Sequence, residues 1–227
     1  MGLKGQQKSV SITGGIFRGR KIPLPPAVHG HRHTTPGLVK EAVFQLLENR
    51  GYARQPFWDL CGGSGQMALE ALSRGFEPVH LVELDRGRFH WLRQVVRDYK
   101  VRLHNKDFLR TLPLLTAGPQ RSVCYLDLPY SFWQRDGGCE KLQSLFAWLQ
   151  SNDPPLLPLL LVQAPRPFDA ASMEPWIAEH YKAEQRDYRG QWLLLYDPEP
   201  SIASETPEEW ESDDTRQSDD TEQPPVA

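Results

Sequence analysis

Apolar positions recur along this chain in two rhythms that alternate with each other. Val39, Ala42, Val43, Leu46 and Leu47 fall on one face of a helix, with Thr35 or Thr34 placed to cap it. An apolar run from Phe57 to Cys61 follows, then a helical pattern from Met67 to Ser73, an apolar run from Val79 to Leu84, and a helical pattern from Arg88 to Tyr99. Next come a strand at Val101 to Asn105, a short helix near Phe108 to Leu115 and an apolar run from Val123 to Leu126. A helix at Glu140 to Leu149, a strand at Leu159 to Gln163 and a closing pair of strands at Tyr181 to Asp187 and Trp192 to Tyr196 complete the pattern. Strands that alternate with helices predict an α/β fold, a mostly parallel sheet with helices on both faces. Only Tyr188-Arg189-Gly190-Gln191 separates the last two strands, which predicts an antiparallel hairpin at one edge.

Outside this pattern the chain changes character at both ends. Residues 1–33 are rich in Gly, Pro and basic residues, and the run from Gly14 to Ile22 predicts a small basic hairpin. From Asp197 onward the composition is acidic and polar, which predicts a disordered tail. The expected organisation is a basic arm over 1–33, one α/β domain over 34–196 and an acidic tail over 197–227. With 227 residues the chain is long enough to bury a substantial core.

Charge sharpens this division. The formal net charge is −3, yet the segment from Asp197 to Ala227 holds eleven acidic residues against the single basic Arg216. Residues 1–196 therefore carry 25 Lys and Arg against 18 Asp and Glu, and no acidic residue precedes Glu41. A phosphate-rich partner follows from that excess. Three cysteines without framework spacing, and no charged start leading into an apolar run, argue against secretion and disulfides. The longest apolar stretch, Leu156 to Val162, contains Pro158 and is too short for a bilayer, so a reduced cytoplasmic protein without membrane attachment is expected. His29, His31 and His33 alternate, but no cysteine or carboxylate stands nearby at ligand spacing; a loop facing phosphates is expected, and no metal site. Cys61 and Cys124 lie in no Pro-Cys turn and are read as structural thiols.

Two stretches carry the candidate chemistry. Trp58-Asp59-Leu60-Cys61-Gly62-Gly63-Ser64-Gly65 joins a strand to a helix through glycines, where absent side chains let backbone amides approach a nucleotide-like cofactor. Glu83, twenty residues beyond Gly63, stands at the tip of the second strand to accept hydrogen bonds from ribose hydroxyls. Nicotinamide enzymes, flavin enzymes and methyltransferases share that arrangement, and a tight turn serving only helix packing produces it too. Asp85 equally suits capping of the next helix. Asp127-Leu128-Pro129-Tyr130 closes a later strand at the edge where ligands bind. There the Asp127 carboxylate and the Leu128 carbonyl can accept hydrogens from an exocyclic amine, Pro129 fixes the turn, and Tyr130 stacks on a base, with Phe132 and Trp133 available to frame the pocket.

In these residues the chain resembles the RsmD-type family, bacterial methyltransferases that modify a guanine N2 in small-subunit ribosomal RNA with S-adenosylmethionine. The resemblance runs in order through Gly14-Gly15-x-x-Arg18-Gly19-Arg20-Lys21, Thr35, Val39-Lys40-Glu41-Ala42-x-Phe44 and Asp59-x-x-x-Gly63-Ser64-Gly65. It continues through Leu69-Glu70-Ala71-Leu72-Ser73-Arg74-Gly75 and Val82-Glu83-x-Asp85-Arg86 to Asp127-x-Pro129-Tyr130. Leu128 stands where the family usually has the first of two prolines, and Cys61 and Gly62 stand where an aromatic and an alanine are more usual. The resemblance implies a Rossmann-like, seven-stranded class I methyltransferase sheet. It implies S-adenosylmethionine held by Asp59, Cys61, Gly62, Gly63, Ser64 and Gly65, with Glu83 on its ribose and Asp107 near its adenine. It makes Asp127, Leu128, Pro129 and Tyr130 the catalytic turn, in which the flipped-out amine attacks the sulfonium methyl group directly. Arg18, Arg20, Lys21, Arg32 and Lys40 would then hold phosphates of ribosomal RNA, naked or in an assembling small subunit, for a monomeric enzyme. The competing expectations are a catalytically silent RNA-binding assembly factor, an amino-methyltransferase acting on adenine or another nucleic acid, and a nicotinamide oxidoreductase.

Overall fold

The inner parallel strands of the central sheet are buried on both faces, and this places them between two layers. The computed structural model describes residues 8–25, 35–115, 121–134, 137–153, 155–169 and 174–198. In chain order its elements begin with β1 (Ser9–Ser11), β2 (Lys21–Pro23), α1 (Gly37–Asn49), β3 (Phe57–Asp59), α2 (Gln66–Ser73), β4 (Val79–Val82), α3 (Arg86–Val95) and β5 (Val101–His104). They continue with β6 (Val123–Asp127), α4 (Tyr130–Trp133), α5 (Gly137–Gln150), β7 (Leu159–Ala164), α6 (Pro175–His180), β8 (Tyr181–Asp187) and β9 (Trp192–Pro198). The main sheet has seven strands in the order β5-β4-β3-β6-β7-β9-β8. Strands β3 to β7 pair in parallel, and β9 runs antiparallel to both β7 and β8, so the expected edge hairpin is present.

Period-two alternation divides the core. Phe57, Leu81, Tyr125, Leu161 and Leu195 face the layer that contains α1 and α2. Trp58, Val82, Leu126, Val162 and Leu194 face the layer that contains α5 and α6. The strand order reverses between β3, β4 and β6, so the carboxyl ends of those strands open a crevice at the switch point.

Several local expectations change. The hairpin strands flank the glycine-rich run instead of passing through it, pairing Ser9 with Pro23 and Ser11 with Lys21. The intervening backbone is committed to α2: Ile16 N donates to Ser73 O at 2.8 Å, and Phe17 N donates to Ser73 Oγ at 2.9 Å. Ile12 and Ile22 are buried in the main core, so the hairpin is part of the domain's packing. Thr35 does not cap α1, whose cap residue is Pro36. Its hydroxyl turns instead toward Tyr125 Oη at 3.4 Å, and its carbonyl accepts from Gln66 Nε2 at 3.1 Å. The stretch near Phe108 to Leu115 forms two single 3-10 turns instead of a helix. Asp197 and Pro198 belong to β9, beyond the expected boundary, because Arg50 and Tyr52 bind the Asp197 carboxylate. The acidic segment past Pro198 lies outside the described residues.

Candidate active site

The glycine turn after β3 is shaped by what surrounds it. Gly62 N donates to Val82 O at 2.7 Å. A Cβ at Gly62 would lie 2.9 Å from Leu81 Cδ1 and 3.1 Å from Val82 O, so the departure from alanine is matched to a turn with no space for a methyl group. Gly65, at φ +73°, precedes the first turn of α2 in the left-handed region that glycine occupies without strain. Glu83 follows β4 and receives Gly63 N at 3.2 Å and Asp85 N at 2.9 Å, while burial pushes its carboxyl pKa up. Asp85 caps α3, accepting from Arg88 N at 2.7 Å. Asp107 accepts from Leu109 N at 3.0 Å and pairs with Lys141 Nζ at 2.8 Å. Cys61, Gly63, Glu83 and Asp107 all border one cleft.

The turn after β6 forms the opposite wall of that cleft, to which Asp127, Leu128, Pro129, Tyr130 and Phe132 contribute. Pro129, at φ −53° and ψ 141°, leads into α4. Leu128 is buried within the core on the α5 side, so a leucine here is accommodated by apolar packing. Tyr130 keeps 49% of its surface exposed, and Phe132 keeps 36%, so two rings stand at the mouth for stacking. Trp133 instead packs into the core, which removes it from the expected frame of the pocket.

Burial raises the Asp127 carboxyl to about 7, opposed by a hydrogen bond from Thr35. Burial, with the neighbouring Asp127 second, raises Asp59 to about 7 as well. The same desolvation and the nearby carboxylates push the Cys61 thiol up, the reverse of what a nucleophilic cysteine requires. Two buried acceptors at the glycine turn, Asp59 Oδ1 and Ser64 Oγ, have no hydrogen-bond partner among the described residues. Asp59 and Ser64 border a smaller recess with Gly62, Gly63 and Asp127, and Glu83 borders the main cleft beside it. Unpaired acceptors next to close-packed backbone suit a ligand that carries an ammonium group and ribose hydroxyls.

Behind the Asp127 turn lies a row of polar side chains that sequence reasoning did not single out. Tyr125 Oη donates to Gln163 Oε1 at 2.7 Å, and Gln163 Nε2 donates to Gln191 Oε1 at 2.7 Å. Both glutamines border the cleft, as do Arg88, Lys106 and Lys141. The available signal was Gln163 itself, the one polar residue in the strand Leu159–Ala164 beside the strand that carries Asp127.

The expected phosphate contacts do not gather at this cleft. Lys40 is only 2% exposed; its Nζ lies 3.1 Å from Glu70 Oε2 and donates to Ser11 O at 2.7 Å. It therefore anchors the hairpin from inside the fold and is unavailable to RNA. Arg18, Arg20 and Lys21 are exposed. They lie on the hairpin docked at the carboxyl end of α2, about 12 Å of helix away from the glycine turn. Arg20 also sits over the Phe17 ring at 5.0 Å and the Tyr99 ring at 5.8 Å. Arg32, with His29, His31 and His33, lies outside the described residues. Among the described residues no three His, Cys, Asp or Glu side chains come together to hold a metal ion, and no helix is long and apolar enough to cross a membrane.

Comparison with known proteins adds an independent line. The family model described as conserved hypothetical protein 95 matches residues 10–153. Over 78 residues the chain is 41% identical to Ribosomal RNA small subunit methyltransferase D of Escherichia coli strain K12, covering 34% of this chain and 38% of that protein. It is 33% identical over 129 residues to the protein of the same name from Haemophilus influenzae, covering 54% of this chain and 65% of that one. The chain thus matches less than two thirds of the length of either relative. Among solved structures the Escherichia coli protein yhhF is similar in fold, with a TM-score of 0.61 at 23% identity, covering 86% of this chain and 100% of that one.

Proposed function

The chain belongs to the conserved hypothetical protein 95 family, and from that premise we propose that it is an S-adenosylmethionine-dependent methyltransferase acting on the N2 amine of a guanine in small-subunit ribosomal RNA. The observation that carries this reading is the convergence of the glycine turn, Glu83 and Asp107 with the Asp127-Leu128-Pro129-Tyr130 turn on a single cleft. The two relatives named Ribosomal RNA small subunit methyltransferase D support the choice of ribosomal RNA.

In this reading Asp59, Ser64 and the backbone of residues 61–65 hold the amino-acid end of the cofactor. Glu83 accepts from its ribose, and Asp107 borders its adenine. When bound, S-adenosylmethionine supplies an electrophilic methyl group; everything else is positioning by this chain. Tyr130 stacks on the flipped-out base. The Asp127 carboxylate and the Leu128 carbonyl accept the two amine hydrogens and hold the nitrogen lone pair out of the ring plane. As the amine becomes a better acid during transfer, Asp127 takes the proton that leaves it. Arg18, Arg20 and Lys21 hold phosphates remote from the cleft, contributing affinity without base choice. A monomer acting on RNA outside any membrane is the corresponding assembly.

The decisive experiment is transfer of radiolabelled methyl from S-adenosylmethionine to small ribosomal subunits and to their naked RNA, both from cells lacking this gene. The expected result is label on guanine N2 with the wild type and a loss of at least about a hundredfold with Asp127→Ala. Absence of label on both substrates would overturn the reading.

A further inference from the structure

Gln191 belongs to the turn between β8 and β9, which the antiparallel course of β9 brings to the carboxyl edge of the parallel strands. Asp127 on β6 pairs in register with Gln163 on β7, and Ala164, one residue later, pairs with Trp192 on β9. Gln191 therefore stands two strands away from Asp127, about 10 Å of backbone, on the same cleft. A planar base lying between the two turns has one side toward each.

The orientation of the Gln191 amide follows from its neighbours. Tyr125 has one phenolic hydrogen, and its contact with Gln163 Oε1 at 2.7 Å is shorter than its 3.4 Å approach to Thr35 Oγ1. With Gln163 Oε1 accepting, Gln163 Nε2 must donate, and it meets Gln191 Oε1 at 2.7 Å. Gln163 is only 7% exposed, so this pairing is fixed from inside the fold. The Gln191 Nε2 amide, with two N–H donors, is left with no partner among the described residues while Gln191 borders the cleft.

We propose that Gln191, held by Gln163, is a specificity-determining residue that donates from Nε2 to the O6 carbonyl of the target base and so selects guanine over adenine. This rests on the methyltransferase reading above and extends it to base choice. Guanine carries its carbonyl oxygen meta to the amine that Asp127 receives, whereas adenine carries a C–H meta to its own amine. Adenine seated at Asp127 leaves the Gln191 donors unpaired, and a buried donor without an acceptor is rejected more strongly than a misfitting apolar group.

The test uses the nucleotide mapped by methyl transfer with the wild type. RNA is prepared with either guanine or 2-aminopurine at that position; 2-aminopurine keeps the amine and lacks the carbonyl oxygen. For the wild type, kcat/KM is expected to favour guanine by about tenfold or more. For Gln191→Leu the ratio is expected to fall close to one, and Gln163→Leu, which frees the Gln191 amide, is expected to shift it the same way. Gln191→Glu, close in shape but without donors, is expected to bring the ratio to one or below. An unchanged ratio in Gln191→Leu and Gln191→Glu, or an equal loss on both RNAs, overturns the assignment while leaving the methyltransferase reading intact. No methyl transfer by the wild type to any guanine removes both together.

Discussion

Asp127 and Asp59 are two carboxyls held near 7 by burial at the same end of the sheet. In the proposed reaction only the ionised Asp127 would accept both an amine hydrogen and, later, its proton, so methyl transfer is expected to rise as pH climbs through that value. Between about pH 6 and about pH 8 the ionised fraction grows from roughly a tenth to roughly nine tenths, and kcat/KM is expected to rise about tenfold. Stability moves the other way. A carboxyl whose folded value lies above its unfolded value favours the fold fully below the unfolded pKa, and that contribution is lost as pH rises through the folded one. Asp127→Asn is therefore expected to lower transfer by about tenfold or more and to flatten the pH profile of the activity that remains, while raising the urea midpoint above about pH 7. A wild-type rate independent of pH over this range would contradict the assignment of Asp127. Glu70 shows the opposite treatment of a buried carboxylate. Thr13, Gly14, Lys40 and Arg74 all donate to it, and its pKa falls despite burial. Asp127 was legible from its place at the end of a strand before a proline. The burial of Lys40 was not, because a lysine next to Glu41 on a helix reads as surface until Glu70, thirty residues on, is folded against it.

The element that departs most from expectation is the β1–β2 hairpin. Gly15 sits at φ +73° with its α-carbon against α2, and an added Cβ would lie 1.8 Å from Ser73 O. Gly19, at φ +85°, has nothing within 4 Å of that position. Gly19→Ala is expected to cost about 1 kcal/mol from backbone strain alone. Gly15→Ala must also displace the hairpin from Ser73 and disturb its bonds to Glu70, for about 3 kcal/mol or more. Thermal or urea unfolding of the two variants checks this, and equal losses would mean that the docking contributes little. The strands and long helices were readable because two-sided apolar runs and 3.6-residue stripes survive in any tertiary context. The four-residue α4 and six-residue α6 were not, since a single turn offers no period to detect.

Across the whole molecule the charge is divided by chain position. The segment after Pro198 holds ten acidic residues against Arg216 alone and leaves the rest of the chain net basic, and the exposed Arg18, Arg20 and Lys21 lie on the hairpin. Opposite charges on one chain compete with outside partners most strongly when salt is low. Truncation after Pro198, which keeps the Asp197 bonds to Arg50 and Tyr52, is expected to raise nonspecific RNA affinity at low salt, with the difference vanishing near physiological salt. Equal affinities at low salt, measured by fluorescence anisotropy, would dismiss that competition. Sequence by itself determined the alternation of strands and helices, the glycine turn, the Asp127 turn and this charge division, because each is written in adjacent residues or a short period. Tertiary structure alone decided that Lys40 is interior, that the basic hairpin sits a helix-length from the cleft, and that Gln163 and Gln191 meet beside Asp127. Those facts depend on strand order and on which groups lose their water, and neither is encoded in the spacing of neighbours along the chain.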